Sequence, residues 1–144
     1  MPQLAEPPRG YLFQELLREE PFWMLLACQL VNLTTWEQAR PTFYGLYDRH
    51  IGPMALAMTE PEDLHDCMRP LGLWRRRSII VPRFARAWLQ GEPREYDEVL
   101  RMPGCGKYAA DSWAIFVADD LSVEPKDGKL NWYMDRIRQE TVDA

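Results

Sequence analysis

Long apolar runs are missing from this chain, and so is any pattern that reads as a strand. No stretch stays apolar for long enough to span a bilayer, although 47% of the 144 residues are hydrophobic. Alternating β-branched runs are absent, and no Asn-Gly pair sits between such runs, which argues against a sheet-based fold. Cysteine is scarce: Cys28, Cys67 and Cys105 are odd in number, far apart and without a C-x-x-C pair. They suit a reducing compartment rather than a disulfide framework, and they cannot supply four ligands to zinc or an iron–sulfur cluster. No metal and no other cofactor are expected. Met1 to Glu6 lacks the basic start and apolar stretch of a secretory leader, so a cytoplasmic, nucleoid-associated or nuclear address is expected, away from any membrane. Internal repeats, low-complexity tracts and linkers are absent too, and residues 1–144 are expected to form a single, monomeric domain.

Charge is plentiful but unevenly placed. With 22 acidic residues against 17 Lys and Arg, the net charge of −5 taken alone argues against a nucleic-acid partner. From Cys67 to Gly91, however, there are six arginines (Arg69, Arg75, Arg76, Arg77, Arg83, Arg86) and no Asp or Glu. Such segregation predicts one basic face on an acidic body; a merely solvated arginine helix is the reading that charge alone leaves open.

Helical periodicity with Pro and Gly punctuation accounts for most of the chain. Residues 11–18 and 22–31 read as apolar helices divided by Glu20-Pro21, the second apolar nearly all round and so central. Thr34-Thr35-Trp36-Glu37 has capping-box spacing and predicts a helix to about His50, bent near Pro41. Short helices are expected at about 53–58 and 61–68, then a tight apolar turn, Pro70-Leu71-Gly72-Leu73-Trp74. A basic helix follows from about Arg75 to Gln90, containing Pro82. Tyr96 to Met102 and Lys107 to Ala118 form a helix pair across Pro103-Gly104-Cys105-Gly106, the second with a buried stripe at Ala109, Trp113, Phe116 and Val117. A final amphipathic helix runs from about Lys129 to Glu140.

The pair at about 99–110 carries the most specific signal. Gly104 and Gly106 flank one apolar residue, allowing a hairpin tight enough for successive backbone N–H groups to point outward together. A nest of that kind at a helix N-terminus binds a phosphate oxygen without reading sequence. An ordinary helical corner containing glycines is the other possibility.

Met102-Pro103-Gly104-Cys105-Gly106-Lys107-Tyr108 resembles the hairpin of the helix-hairpin-helix DNA glycosylases, and Lys126-Asp127-Gly128-Lys129-Leu130-Asn131 resembles their downstream Asp-Gly segment. The resemblance runs from about Tyr11 to Ile137. It is nearest to the thymine glycosylases that also carry a methyl-CpG-binding domain, which share a Pro-Leu-Gly-Leu turn and a Gly-Lys-Tyr-x-x-Asp-Ser hairpin exit. It implies an all-α fold with two helical lobes around a cleft, and double-stranded DNA as partner. By position, it makes Asp127 the catalytic carboxylate and Gln14 and Tyr108 the base pocket. It makes Leu73 the wedge that fills the gap left by a flipped base. Leu33, a further wedge position, stands where those relatives carry an arginine. Gly104, Gly106, Lys107, Arg75, Arg76 and Arg77 would hold phosphates.

The chemistry fits those residue types. Cleaving an N-glycosidic bond builds positive charge on the sugar, which a carboxylate below the anomeric carbon stabilises while orienting a water. Without the family, Asp127-Gly128 is equally a turn or helix cap, and Asp111 and Asp135 are rival carboxylates within helices. Bifunctional members place a lysine where Tyr108 stands; a phenol forms no imine, so release of a uracil- or thymine-type base by water, without strand cleavage, is expected. Two other functions remain open: a non-catalytic hairpin module that grips DNA, and an enzyme of the same fold that processes a modified thymine.

Overall fold

The structure is a computed structural model that describes residues 11–143. The Met1 to Glu6 stretch, read above for its lack of a leader, lies outside them. Among the described residues all regular structure is helical: α1 (Phe13–Leu16), α2 (Pro21–Leu30), α3 (Trp36–Arg49), α4 (Pro53–Ala57), α5 (His65–Met68), α6 (Trp74–Gln90), α7 (Tyr96–Arg101), α8 (Lys107–Phe116) and α9 (Gly128–Asp143). Short 3₁₀ turns, Pro61–Leu64 and Arg69–Leu71, flank α5. None of these helices is long and apolar enough to cross a membrane.

Pro21 opens α2 where its missing N–H costs nothing, and Phe22 to Cys28 and Leu30 are buried, as an all-round apolar helix requires. Its aromatic end packs outward, Phe22 stacked on Phe84 of α6 at 5.1 Å and Trp23 edge-on to Tyr47 of α3 at 5.0 Å. The other central helix is α8. Periodicity predicts one buried stripe there, yet Ala109 to Phe116 are all buried while Val117 is only partly so. The reason is its surroundings: α1, α2 and α7 all pack on α8, so polar Asp111 and Ser112 are enclosed along with the apolar residues.

The cap of α3 falls one residue later than the Thr34–Glu37 spacing predicts. Thr35 is the N-cap and accepts from the Gln38 amide at 3.2 Å, while the Gln38 side chain accepts from both the Thr35 N–H and the Thr34 hydroxyl. One amide thus satisfies both threonines, and Glu37 is left in solvent. The helix continues through Pro41 to Arg49, losing one rung of its hydrogen-bond ladder.

Between α7 and α8 the chain turns over Gly104, whose φ of +78° favours glycine. A Cβ there would collide with Gln29 Oε1 and lie 2.8 Å from Ile80 Cγ2, so the hairpin is pressed against α2 and α6. Gln29 also donates to Cys105 Sγ at 3.5 Å. Gly106 is different: it caps α8 with ordinary φ, and a Cβ there would meet nothing within 4 Å. The hydrogen-bond ladder of α8 begins with Ala110 N–H to the Gly106 carbonyl at 3.0 Å, leaving the earlier amides at an open helix end.

The two glycines should therefore behave differently. Gly104→Ala should destabilise the fold by about 1–3 kcal/mol through positive φ and overpacking. Gly106→Ala should stay within about 1 kcal/mol of the native chain, the modest difference between glycine and alanine at an N-cap. Urea unfolding of both variants checks this; equal losses would mean the hairpin is not seated on Gln29 and Ile80.

Candidate functional site

A cleft of about 910 Å³ opens where α1, the turn preceding α3, and the first residues of α8 and α9 converge. Phe13, Gln14, Leu33, Trp36, Tyr108 and Asp127 all line it. The Phe13 and Trp36 rings are stacked with centroids 4.9 Å apart, giving the cleft one flat aromatic wall. The α1 segment and α9 are tied together beside it. Glu15 accepts from Arg136 of α9 at 2.8 Å, and Arg18 donates to Tyr133 of α9 at 2.6 Å.

Gln14 is 2% exposed, which excludes a surface glutamine. Its Nε2 donates to the Tyr108 hydroxyl at 2.7 Å and to Ser112 Oγ at 3.3 Å, joining α1 to α8. Ser112 in turn lies beside the buried Cys28 of α2. Burial, and then the neighbouring Cys28 and Asp127, push the Tyr108 phenol well above its ordinary pKa. It is a neutral hydrogen-bonding group, not a base. Burial likewise raises Cys28, and pushes Cys105 up to about 12, so neither thiol is a nucleophile near neutral pH.

Asp127 is both things that sequence sets in opposition. It caps α9, its Oδ2 accepting the Leu130 N–H at 3.0 Å, and it lines the cleft. Asn131 locks the preceding turn by donating to the carbonyls of Pro125 at 2.8 Å and Asp127 at 3.2 Å. The rival carboxylates are elsewhere. Asp111, 1% exposed, is held between the Tyr96 hydroxyl at 2.7 Å and Lys107 Nζ at 2.9 Å. Asp135 is exposed and pairs with Arg138 at 3.6 Å. Among the described residues no group of His, Cys, Asp and Glu is placed to hold a metal ion.

Leu33 at the cleft and Leu73 beyond it stand on separate turns, 92% and 61% exposed, so neither packs beneath its turn. Both have left-handed backbone, φ +65° and +47°, a conformation costing about 1–3 kcal/mol in a non-glycine residue. Leu73 is the N-cap of α6, which has no side-chain cap and carries Arg75 and Arg76 in its first turn. Cations are unfavourable beside the positive end of a helix, so this local conflict would be relieved by an anion. Arg75 and Arg69 lie against the Trp74 ring at 4.7 and 5.0 Å, while Arg76 is exposed.

Two placements differ from what the sequence predicts. Arg77, expected on phosphate, is turned inward onto the carbonyls of Leu30 at 3.4 Å and Asn32 at 3.0 Å, because the end of α2 presents unpaired carbonyls there. The Lys107 ammonium is ion-paired with Asp111, although the side chain remains 43% exposed. Lys129 also lines the cleft, beside Asp127. Sequence reasoning also passed over Phe13, Trp36 and Ser112. Ser112 was within reach of it, one helical turn from Tyr108 on the same face of α8.

No family model matches the chain. It is 32% identical over 135 residues to the methyl-CpG-binding domain protein 4-like protein of Arabidopsis thaliana, covering 92% of this chain and 30% of that one. It is 27% identical over 135 residues to endonuclease III of Thermotoga maritima, covering 87% of this chain and 63% of that protein. A match to thymine-DNA glycosylase of Aeropyrum pernix, 27% identical over 110 residues, covers 74% and 48%. The chain thus spans less than two thirds of each relative. These relatives are DNA glycosylases of the helix-hairpin-helix superfamily, and the all-helical fold of this chain is consistent with theirs.

Proposed function

We propose that this chain is a monofunctional DNA glycosylase of base excision repair, acting as a single copy on duplex DNA and releasing a damaged, mispaired or modified pyrimidine of the uracil or thymine type. One observation carries the reading: Asp127, Tyr108 and Gln14 line the same cleft, and the helix that bears Tyr108 opens at the glycine hairpin. In this reading the amides before Ala110 receive a phosphate, with Arg75 and Arg76 gripping neighbouring ones. The target nucleotide swings out of the stack, and Leu73, with Leu33 beside it, fills the gap. The flipped base lies against the Phe13–Trp36 wall, its polar edge toward Gln14 and Tyr108.

The N-glycosidic electron pair then leaves with the base, and the sugar becomes oxocarbenium-like. Asp127 stabilises that charge and takes a proton as a water oxygen bonds to C1′, leaving an abasic site and an intact strand. The Leu130 amide fixes one carboxylate oxygen, so the group needs little reorganisation.

Asp127→Asn tests the mechanism without removing the helix cap, since asparagine caps as well as aspartate. Stability and DNA binding should be kept while base release falls at least about a thousandfold, on the scale of losing oriented charge stabilisation. Scored on duplexes with single altered pyrimidines, near-native release would remove Asp127 from the reaction.

Borohydride should trap no covalent adduct with DNA, because Tyr108 cannot form an imine. Lys107 is held protonated by Asp111, which raises its pKa, and so is a poor nucleophile. A strong adduct that disappears with Lys129→Ala would overturn the monofunctional reading and name the cleft lysine as the amine.

Leu73→Ala should slow release from a paired target at least about tenfold more than from the same base in a single strand, since unstacking costs a few kcal/mol that the wedge offsets. Equal slowing on the two substrates would show that Leu73 is not a wedge.

A further inference from the structure

The exposed leucines belong to turns far apart in sequence, yet one residue is hydrogen-bonded to both turns. The Arg77 backbone N–H donates to the Leu73 carbonyl at 2.9 Å. Its guanidinium reaches the other way, Nη2 donating to the Asn32 carbonyl at 3.0 Å and Nη1 to the Leu30 carbonyl at 3.4 Å. The turn that bears Leu33 is therefore clamped to the first turn of the helix that Leu73 begins. Burial lowers the Arg77 pKa from its ordinary value, yet arginine keeps its charge at any physiological pH, so the clamp persists.

We propose that Arg77 is a positioning residue that sets Leu33 and Leu73 as one two-pronged plug. This deepens the wedge assignment made above and rests on it. The argument is geometric. Neither leucine has packing to hold it, since they are 92% and 61% exposed, and each occupies a left-handed backbone that the surrounding structure must impose. For Leu33 that support comes through the carbonyls of Leu30 and Asn32, the latter immediately preceding it, and Arg77 holds both. The planar fork suits two carbonyls at once, which a lysine ammonium on a flexible stem does not reproduce. The plug is also wholly apolar. Arg77, the basic residue bonded to both turns, has its guanidinium turned inward, so it holds the prongs and leaves the base opposite unread.

A merely structural role, capping the end of α2, would weaken the protein without distinguishing one substrate from another. The plug matters only where a stacked base must be displaced. The readout is the ratio of kcat/KM for uracil in a duplex to kcat/KM for uracil in the same strand alone. Arg77→Ala should lower that ratio about tenfold, with the single-strand value within about twofold of native, as expected if only the cost of unstacking has changed. Leu33→Ala should lower it too. The double variant Arg77→Ala/Leu33→Ala should be no worse than Leu33→Ala alone within about twofold, because residues acting through one another are non-additive. Arg77→Lys, a gentler change, should fall between native and Arg77→Ala and decides the matter if Arg77→Ala fails to fold.

Equal losses on both substrates, or losses that multiply in the double variant, would reduce Arg77 to a helix cap and overturn the proposal. Failure of the underlying wedge assignment looks different: Leu73→Ala itself would then leave the ratio unchanged. If uracil is not released at all, emission from 2-aminopurine beside the target position reports unstacking without cleavage. Native protein should raise that emission and Arg77→Ala should not; the same rise with both would overturn the brace.

Discussion

A single buried amide constrains the site more than any other group. Gln14 sits at 2% exposure on a helix of four residues, too short to be stable by itself. A buried amide must be hydrogen-bonded or it costs on the order of 1–3 kcal/mol, and Tyr108 and Ser112 are what it finds. Both lie on one face of α8, so meeting the demand of Gln14 fixes the rotation of α8 about its axis. That rotation points Tyr108 into the cleft, while the first-turn amides of α8 point along its axis, out of the end where the hairpin joins it. The Glu15–Arg136 ion pair and the Arg18–Tyr133 hydrogen bond then draw α9, and with it Asp127, against the same side.

The hairpin depends on a second exclusion of volume. Gly104 has no space for a side chain because Gln29 and Ile80 already occupy it, while Gly106 faces open space. Two glycines that look equivalent in sequence therefore do different work. One lets the backbone seat on α2 and α6; the other keeps the approach to the α8 amides clear. Asp127 shows the same economy, since a helix cap and a charge directed at a cleft ask the same thing of a carboxylate: a fixed orientation.

Much of this was legible in the sequence. The helices, their proline starts and their glycine hairpin follow from periodicity and punctuation, which report local conformation directly. The all-apolar character of α2 announced a central helix. What periodicity could not show was how many neighbours a helix has: α8 reads as one stripe, yet three helices enclose it, and Asp111 is buried against Lys107 and Tyr96 in consequence. The cap of α3 shifted by one residue because Gln38 satisfies two threonines where Glu37 would satisfy one. Charge groups Arg77 with its neighbours, but on a helix each step turns a side chain by about 100°, so three consecutive arginines cannot share a face. The third meets the end of α2 instead of solvent. Phe13 and Trp36 are not legible as a pair, because an aromatic wall is made by two segments meeting and neither segment carries that information alone.

The net charge of −5 is the feature most at odds with a DNA partner, and distance resolves it. A domain of this length has a radius of gyration of about 15 Å, so its opposite faces stand well over two Debye lengths apart, each about 8 Å at physiological salt. Carboxylates that far from a phosphate are screened, and the local field is set by what lies within one Debye length of it. Around Leu73 that is Arg75 and Arg69 held against the Trp74 ring, Arg69 also paired with Asp66 at 3.2 Å, Arg76 exposed to solvent, and the uncapped positive end of α6, a balance that stays positive. The segregation matters more than the sum. It also carries a consequence for association: lowering the salt lengthens the reach of the distant carboxylates along with that of the arginines. With the proposed DNA partner, attraction should therefore strengthen less on dilution than for a uniformly basic protein with the same contacts, because the acidic body begins to oppose the arginine face.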